Sequence, residues 1–270
     1  MAIRHYHHHY HFSYLTSKKR HFTAVAIVIG VLILIFLGLF DYITPHKPLN
    51  LNQVSPTIIF LATFNTLFRL LFSYFFALIL SVPTALLITK SERFEKILLP
   101  ISDVIQSVPV LAFFPVVVLA FIKIHATEGA VISILFMEML WYLVFSIIGG
   151  LKTIPRDILD AATIFKVRGF NKLRYIIIPS VFPYLITGSL LAWAAGWSIL
   201  MVAESLHNYI PGGNAANDPL GLGSLLVNSF YSGQNSVFLA SLVVMIIAIA
   251  LINFFVWQKL LHLAERFKFD

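Results

Sequence analysis

Cysteine is absent from all 270 residues, which excludes disulfide frameworks and thiolate metal sites. Charge is scarce: Asp, Glu, Lys and Arg make up 11% of the chain, against about 25% in soluble domains. Acidic residues are the scarcer sign, 12 against 19 Lys and Arg, leaving a formal charge of +7. No Gly-x-x-x-x-Gly-Lys-Ser/Thr loop occurs, so the chain does not cradle a nucleotide in that manner. Neither a nucleophile constellation nor a spaced metal-ligand set emerges, apart from a histidine-rich start. What is present instead is apolar sequence, 59% of residues, in runs matching the roughly 20 residues a helix needs to cross a bilayer. The expected class is an all-α integral membrane protein with six transmembrane helices.

Residues 1–22 are polar and carry His5, His7, His8, His9 and His11, then Lys18-Lys19-Arg20 and His21 before the first apolar run. They read as a solvated tail, with transition-metal binding as the alternative. The first span occupies 23–42, an uncleaved helix without a small-x-small cleavage site. Further spans are expected at Thr57–Ile88, Ile101–Ile122 (broken by Pro109 and Pro115), Ala130–Gly150, Val181–Ala203 and Ser236–Trp257. Thr89–Pro100 reads as a charged loop, Glu204–Asn235 as a Gly, Asn and Ser-rich loop, and 259–270 as a basic tail. Prolines in spans free backbone carbonyls, which neighbours or water must satisfy.

The placement of positive charge orients the chain. With the N-terminus inside, the inner segments hold 4 Lys/Arg (1–22), 3 (89–100), 6 (151–175) and 3 (258–270), the outer ones hold Lys47 and Lys123, and Arg69 lies in a span. Positive residues favour the cytoplasmic side, so both termini and the 151–175 loop are expected in the cytosol and the 204–235 loop outside. The excess charge thus speaks for topology and not for a nucleic-acid partner.

Between the fourth and fifth spans, Thr153 and Pro155 suit a helix start, with Asp157 and Asp160 near its positive end and Lys166 and Arg168 near its negative end. Ile154, Ile158, Ala161, Ala162 and Phe165 recur at helical spacing. That pattern makes a short amphipathic helix, suited either to docking a soluble partner or to lying on lipid headgroups.

Asp160-Ala161-Ala162 followed by Ile178-Pro179 resembles the EAA loop of ABC importer permeases, where Glu-Ala-Ala precedes a glycine and a later Leu-Pro. Thr66-Leu67-Phe68-Arg69, Gln106-Ser107-Val108-Pro109 with Phe114-Pro115, and Ala203-Glu204 are similar to the nitrate/sulfonate/taurine branch and its duplicated anion permeases, over about residues 60 to 260. The resemblance implies a type I permease core at 57–258 whose coupling loop, 151–175, seats a coupling helix in a cytosolic ATPase subunit. Asp157, Ile158, Asp160, Ala161, Ala162, Phe165, Lys166, Gly169 and Pro179 are its implied coupling residues. It further implies a bacterial inner-membrane location, a second permease chain (identical or homologous), an extracytoplasmic binding protein, ATP and Mg on the partner ATPase, no cofactor on this chain, and a small anion as solute. Two departures stand out: Asp160 replaces the Glu, and Lys166 stands where the family has glycine, with Gly169 three residues on. The turn that closes the helix is therefore open to either position.

Among the other residues, Gly188, Ala192 and Gly196 repeat every four positions and form a smooth stripe for close helix packing. Arg69 and Glu138 are the chief intramembrane charges, and such charges face a partner or water. A structural ion pair between them is the favoured account; an outer vestibule attracting an anion through Arg69, or a carrier using both residues, is the alternative. Gln106 and Ser107 are pathway candidates, and Glu204 with Asn208 is a candidate external gate. The loop from Pro211 to Gly223 exceeds a simple connector, and meeting a binding protein or covering the pathway exit are its candidate roles.

Overall fold

The computed structural model describes residues 55–210, 212–215 and 218–267. The histidine-rich tail, the expected first span and the last residues of the basic tail lie outside that range. Among the described residues the chain is helical, with no strand. In order come α1 (Pro56–Ile88), α2 (Glu92–Ser107), α3 (Val110–Lys123), α4 (Thr127–Lys152), α5 (Arg156–Ile164), α6 (Phe170–Ala203), α7 (Leu222–Tyr231) and α8 (Asn235–Phe267). Four of these, α1, α4, α6 and α8, are long and apolar enough to cross a membrane, and the bent pair α2–α3 makes a fifth crossing if counted as one.

Two expectations about loops are corrected. Thr89–Pro100 is mostly helix, because Ser91 caps α2 by accepting from the Phe94 amide while Glu92 and Glu95 occupy its positive first turn; carboxylates there are stabilising. The third span is two helices meeting at 79°. Pro109 is the N-cap of α3 and has no amide to continue the α2 ladder, whereas Pro115 sits within α3 without breaking it. The Glu204–Asn235 loop likewise contains α7 and a 3-10 turn, Leu206–Tyr209.

Helix directions follow from paired contacts. Arg69 meets Glu128, and the Ser73 hydroxyl donates to the Ile132 carbonyl at 3.0 Å, so α1 and α4 run parallel. Against α4, α6 runs antiparallel: Gly150 faces Tyr184, Gly188 faces Ser146, and Gly196 faces Met139 and Leu70. A Cβ on Gly188 or Gly196 would overlap those neighbours, so the small-residue stripe is a packing seam within the chain. Tyr74 donates to the Ser189 hydroxyl at 2.7 Å and rests against Trp193 and Trp257, joining α1, α6 and α8. In α6, a π turn at Leu173–Ile177 precedes Pro179 and shifts the hydrogen-bond ladder where that proline offers no donor.

Apolar side chains on α1 (Phe60, Phe64, Phe75) and α8 (Leu239, Ile246, Phe254) remain exposed. Such a surface is costly in water and suited to lipid or to a second membrane chain.

Candidate functional site

Where α4 begins and α6 ends, a buried charge cluster joins four elements. Arg69 is fully buried. Its Nε and Nη2 donate to the two Glu128 carboxylate oxygens at 2.5 and 2.6 Å, and its Nη1 donates to Glu204 Oε1 at 2.7 Å and to the Leu220 carbonyl at 3.1 Å. Thr66 donates to Glu204 Oε1 at 2.8 Å and accepts from the Leu222 amide at 2.9 Å. Glu204 Oε2 accepts from the Gly223 amide at 2.7 Å. Gly221 is needed because a Cβ there would stand on the Glu204 carboxylate. One guanidinium faces two carboxylates, and the excess negative charge meets the amide-rich start of α7, where a helix favours anions. Every charge is spent on a neighbour. The cluster clamps the loop after α6 to α1 and α4, and among the described residues its one cation, Arg69, is fully matched.

This corrects the expected pairing. Arg69 binds Glu128 and Glu204, while Glu138, half-buried, lies ten residues beyond Glu128 on the same helix, about 15 Å along the axis. Arg69, about two fifths of the way along α1, lies level with the start of the parallel α4, as the Ser73–Ile132 contact one turn on also shows. The usable signal was the single span lying between them, which makes their directions equal. Glu128 was missed because Lys123–Gly129 read as a loop. Glu204 is also corrected: it is fully buried, not at a solvated edge, and its partners do not include Asn208, which is exposed on the 3-10 turn.

The loop after α6 has its own lock. Asp218 accepts from the His207 amide at 2.9 Å and from Asn228 Nδ2 at 3.3 Å, and its other contact is His207 Nδ1 at 2.6 Å. Burial raises the Asp218 carboxyl above the usual range, and the His207 amide and ring oppose that rise. Nearby, Phe114 of α3 is buried against Tyr209, ring centroids 4.2 Å apart. Gln106 and Ser107 are exposed at the α2–α3 break, with the Ser107 hydroxyl bonded back to the Asp103 carbonyl at 2.7 Å.

At the opposite end, α5 lies across the bundle. Ile154 and Ala162 are buried and Ile158 is half-buried against a cluster including Ile88, Val144, Ile148 and Val181. Asp157, Asp160 and Phe165 are exposed and Ala161 is half-exposed. Thr153 does not cap α5; it ends α4, donating to the Gly150 carbonyl at 2.9 Å, and Pro155 is the α5 N-cap. Phe165 leaves the apolar stripe because it follows the last helical residue. The helix closes at Lys166, which adopts φ 55° while the Lys166 amide bonds Thr163 and the Val167 amide bonds Ala162. That is the Schellman pattern, whose left-handed residue is usually glycine. Lys166 thus holds the turn, Gly169 makes a second positive-φ turn at 60°, and α6 with Pro179 follows. Lys152, the last residue of α4, pairs with Glu95 of α2 at 2.6 Å, tying these ends together.

The family model described as binding-protein-dependent transport system inner membrane component matches residues 77–266. The nitrate import permease protein NrtB of Leptolyngbya laminosa is 26% identical over 168 residues, covering 62% of this chain and 56% of that protein. The bicarbonate transport system permease protein CmpB of a Synechocystis species is 27% identical over 154 residues, 57% of this chain and 54% of that protein. The chain therefore spans about half the length of these curated relatives. A chain of the MetNI methionine ABC transporter, solved in inward-facing conformations, superposes with a TM-score of 0.60 at 19% identity, covering 78% of this chain and 99% of that one. At that identity the likeness is one of fold.

Proposed function

The chain belongs to the family of binding-protein-dependent transport system inner membrane components, and from that premise we propose that it is the permease subunit of an ATP-driven importer. With a second permease it forms the path for a small solute. The family and its relatives make it a multi-pass membrane transport subunit and not itself an enzyme. The observation that carries the finer reading is α5. One face is held by the bundle through Ile154, Ile158 and Ala162, while Asp157, Asp160 and Phe165 project away from it. A helix so mounted passes a push from a soluble partner into α4 and α6, which flank it in sequence. In this reading the partner is a cytosolic ATPase with its own ATP and Mg, and Asp160 meets a basic residue there. ATP-driven closure of the ATPase pair supplies the differential stabilisation that a two-state change requires.

The relatives named for nitrate and bicarbonate support a small anion as the solute. Arg69, already matched by Glu128 and Glu204, is not the group that meets it; the exposed Gln106 and Ser107 at the α2–α3 break are better placed. Against a carrier using Arg69 and Glu138 stands the matching of Arg69 by Glu128 and Glu204. An extracytoplasmic binding protein would meet the loop that carries His207 and Asp218.

The test is a mild-detergent pull-down of the chain from its native membrane, wild type against Asp157→Lys with Asp160→Lys. Both positions are exposed, so folding is undisturbed. Recovery of an ATPase with wild type and its loss from the variant is expected. Absence of an ATPase from wild type, under conditions that keep other membrane complexes intact, would sink the importer reading.

A further inference from the structure

Between Asp160 and Glu204 the chain contains no acidic residue, yet Lys166, Arg168, Lys172 and Arg174 fall within nine positions. No salt bridge joins any of the four to a carboxylate among the described residues. They surround the start of α6, where the helix dipole favours anions and repels cations. Four like charges gathered at the unfavourable end of a helix repel one another, and among the described residues no carboxylate pairs with them. Aromatic side chains alternate with them: Phe170 is 70% exposed, Tyr175 is 66% exposed, and the Arg174 guanidinium lies 5.5 Å from the Tyr175 ring centroid. Phe170 is also the first residue of a helix long and apolar enough to cross the membrane, which sets this belt at headgroup depth, where aromatic rings and long basic side chains settle.

We propose that Lys166, Arg168, Lys172 and Arg174, with Phe170 and Tyr175, form a binding surface for the headgroups of anionic phospholipids. The phosphates supply the counter-charge that the described residues do not place around the start of α6, and the two rings fill the glycerol and upper acyl layer. The surface is separate from the acidic face of α5 that carries Asp157 and Asp160. It rests on α6 crossing the bilayer and not on the identity of any ATPase. Lipid bound there steadies the root of α6, next to the π turn and Pro179, while α5 is left clear for a soluble partner.

The experiment is native mass spectrometry of the purified full chain in neutral detergent, titrated separately with phosphatidylglycerol and phosphatidylcholine. Wild type should hold phosphatidylglycerol about tenfold more tightly, and Lys166→Gln, Arg168→Gln, Lys172→Gln and Arg174→Gln together should bring the two lipids to parity. The charge-keeping exchange Lys166→Arg, Arg168→Lys, Lys172→Arg and Arg174→Lys should retain the preference. Should the fourfold neutral variant aggregate, Lys172→Gln with Arg174→Gln alone should still lower the preference by about threefold. Equal binding of the two lipids by wild type, or an unchanged preference in the neutral variants, would overturn the proposal. So would loss of a co-purifying ATPase from the neutral variant with its lipid preference intact, which would give the surface to the soluble partner. The lipid titration contains no ATPase, so failure of the Asp157/Asp160 pull-down leaves its outcome untouched.

Discussion

Arg69 shows how much of a membrane-protein site hangs on one side chain. Its guanidinium donates to Glu128, Glu204 and the Leu220 carbonyl while fully buried. Removing one partner of a buried charge group leaves the others uncompensated and costs about 3–5 kcal/mol. Arg69→Leu should therefore lower stability by roughly that amount, whereas Glu138→Gln should change it by less than about 1 kcal/mol. Thermal unfolding of the two purified variants in detergent checks both. Equal losses would restore the Arg69–Glu138 pair that the spacing suggested. That Arg69 must be matched was legible, because a charge inside a span needs a partner. Which carboxylate matches it was not, because the choice depends on helix direction and on Glu204 being turned inward by Thr66 and the Gly223 amide.

At the scale of elements, α5 was legible in the spacing of its apolar residues and its acidic start, and its closing turn was not. Lys166 adopts φ 55° and Gly169 adopts φ 60° with ψ −130°. The first conformation is tolerated by lysine at a cost, and the second is open essentially to glycine alone. Lys166→Gly should therefore tighten the end of α5 by about 1 kcal/mol. Gly169→Ala should loosen it by about 1–3 kcal/mol, although a Cβ at Gly169 would meet nothing within 4 Å. Hydrogen exchange at the Phe165, Lys166 and Val167 amides reads both changes, and faster exchange in Lys166→Gly would refute the assignment of the turn. The α2–α3 break has the same character. Pro109 announced an interruption, but neither the 79° angle nor the packing of Phe114 against Tyr209.

For the whole molecule, the absence of cysteine makes single-cysteine labelling clean. A membrane-impermeant maleimide added to intact cells should label Ser236→Cys, near the start of α8, and should reach Thr163→Cys on α5 only after permeabilisation. The opposite pattern would invert the topology that the Lys and Arg count implies. The sequence by itself determined the class, the family and the apolar runs that form α1, α4, α6 and α8, because crossing a bilayer demands long apolar runs and the family's motifs are short and local. Local pattern suffices for such properties, since each is set by a residue and its neighbours along the chain. Only the tertiary structure decided that Arg69 is held by Glu128 and Glu204, that the Gly188–Gly196 stripe is spent within the chain, and that Ala162 is buried while Asp160 is exposed. Those outcomes depend on how parallel and antiparallel helices align in depth, which spacing along one helix does not encode.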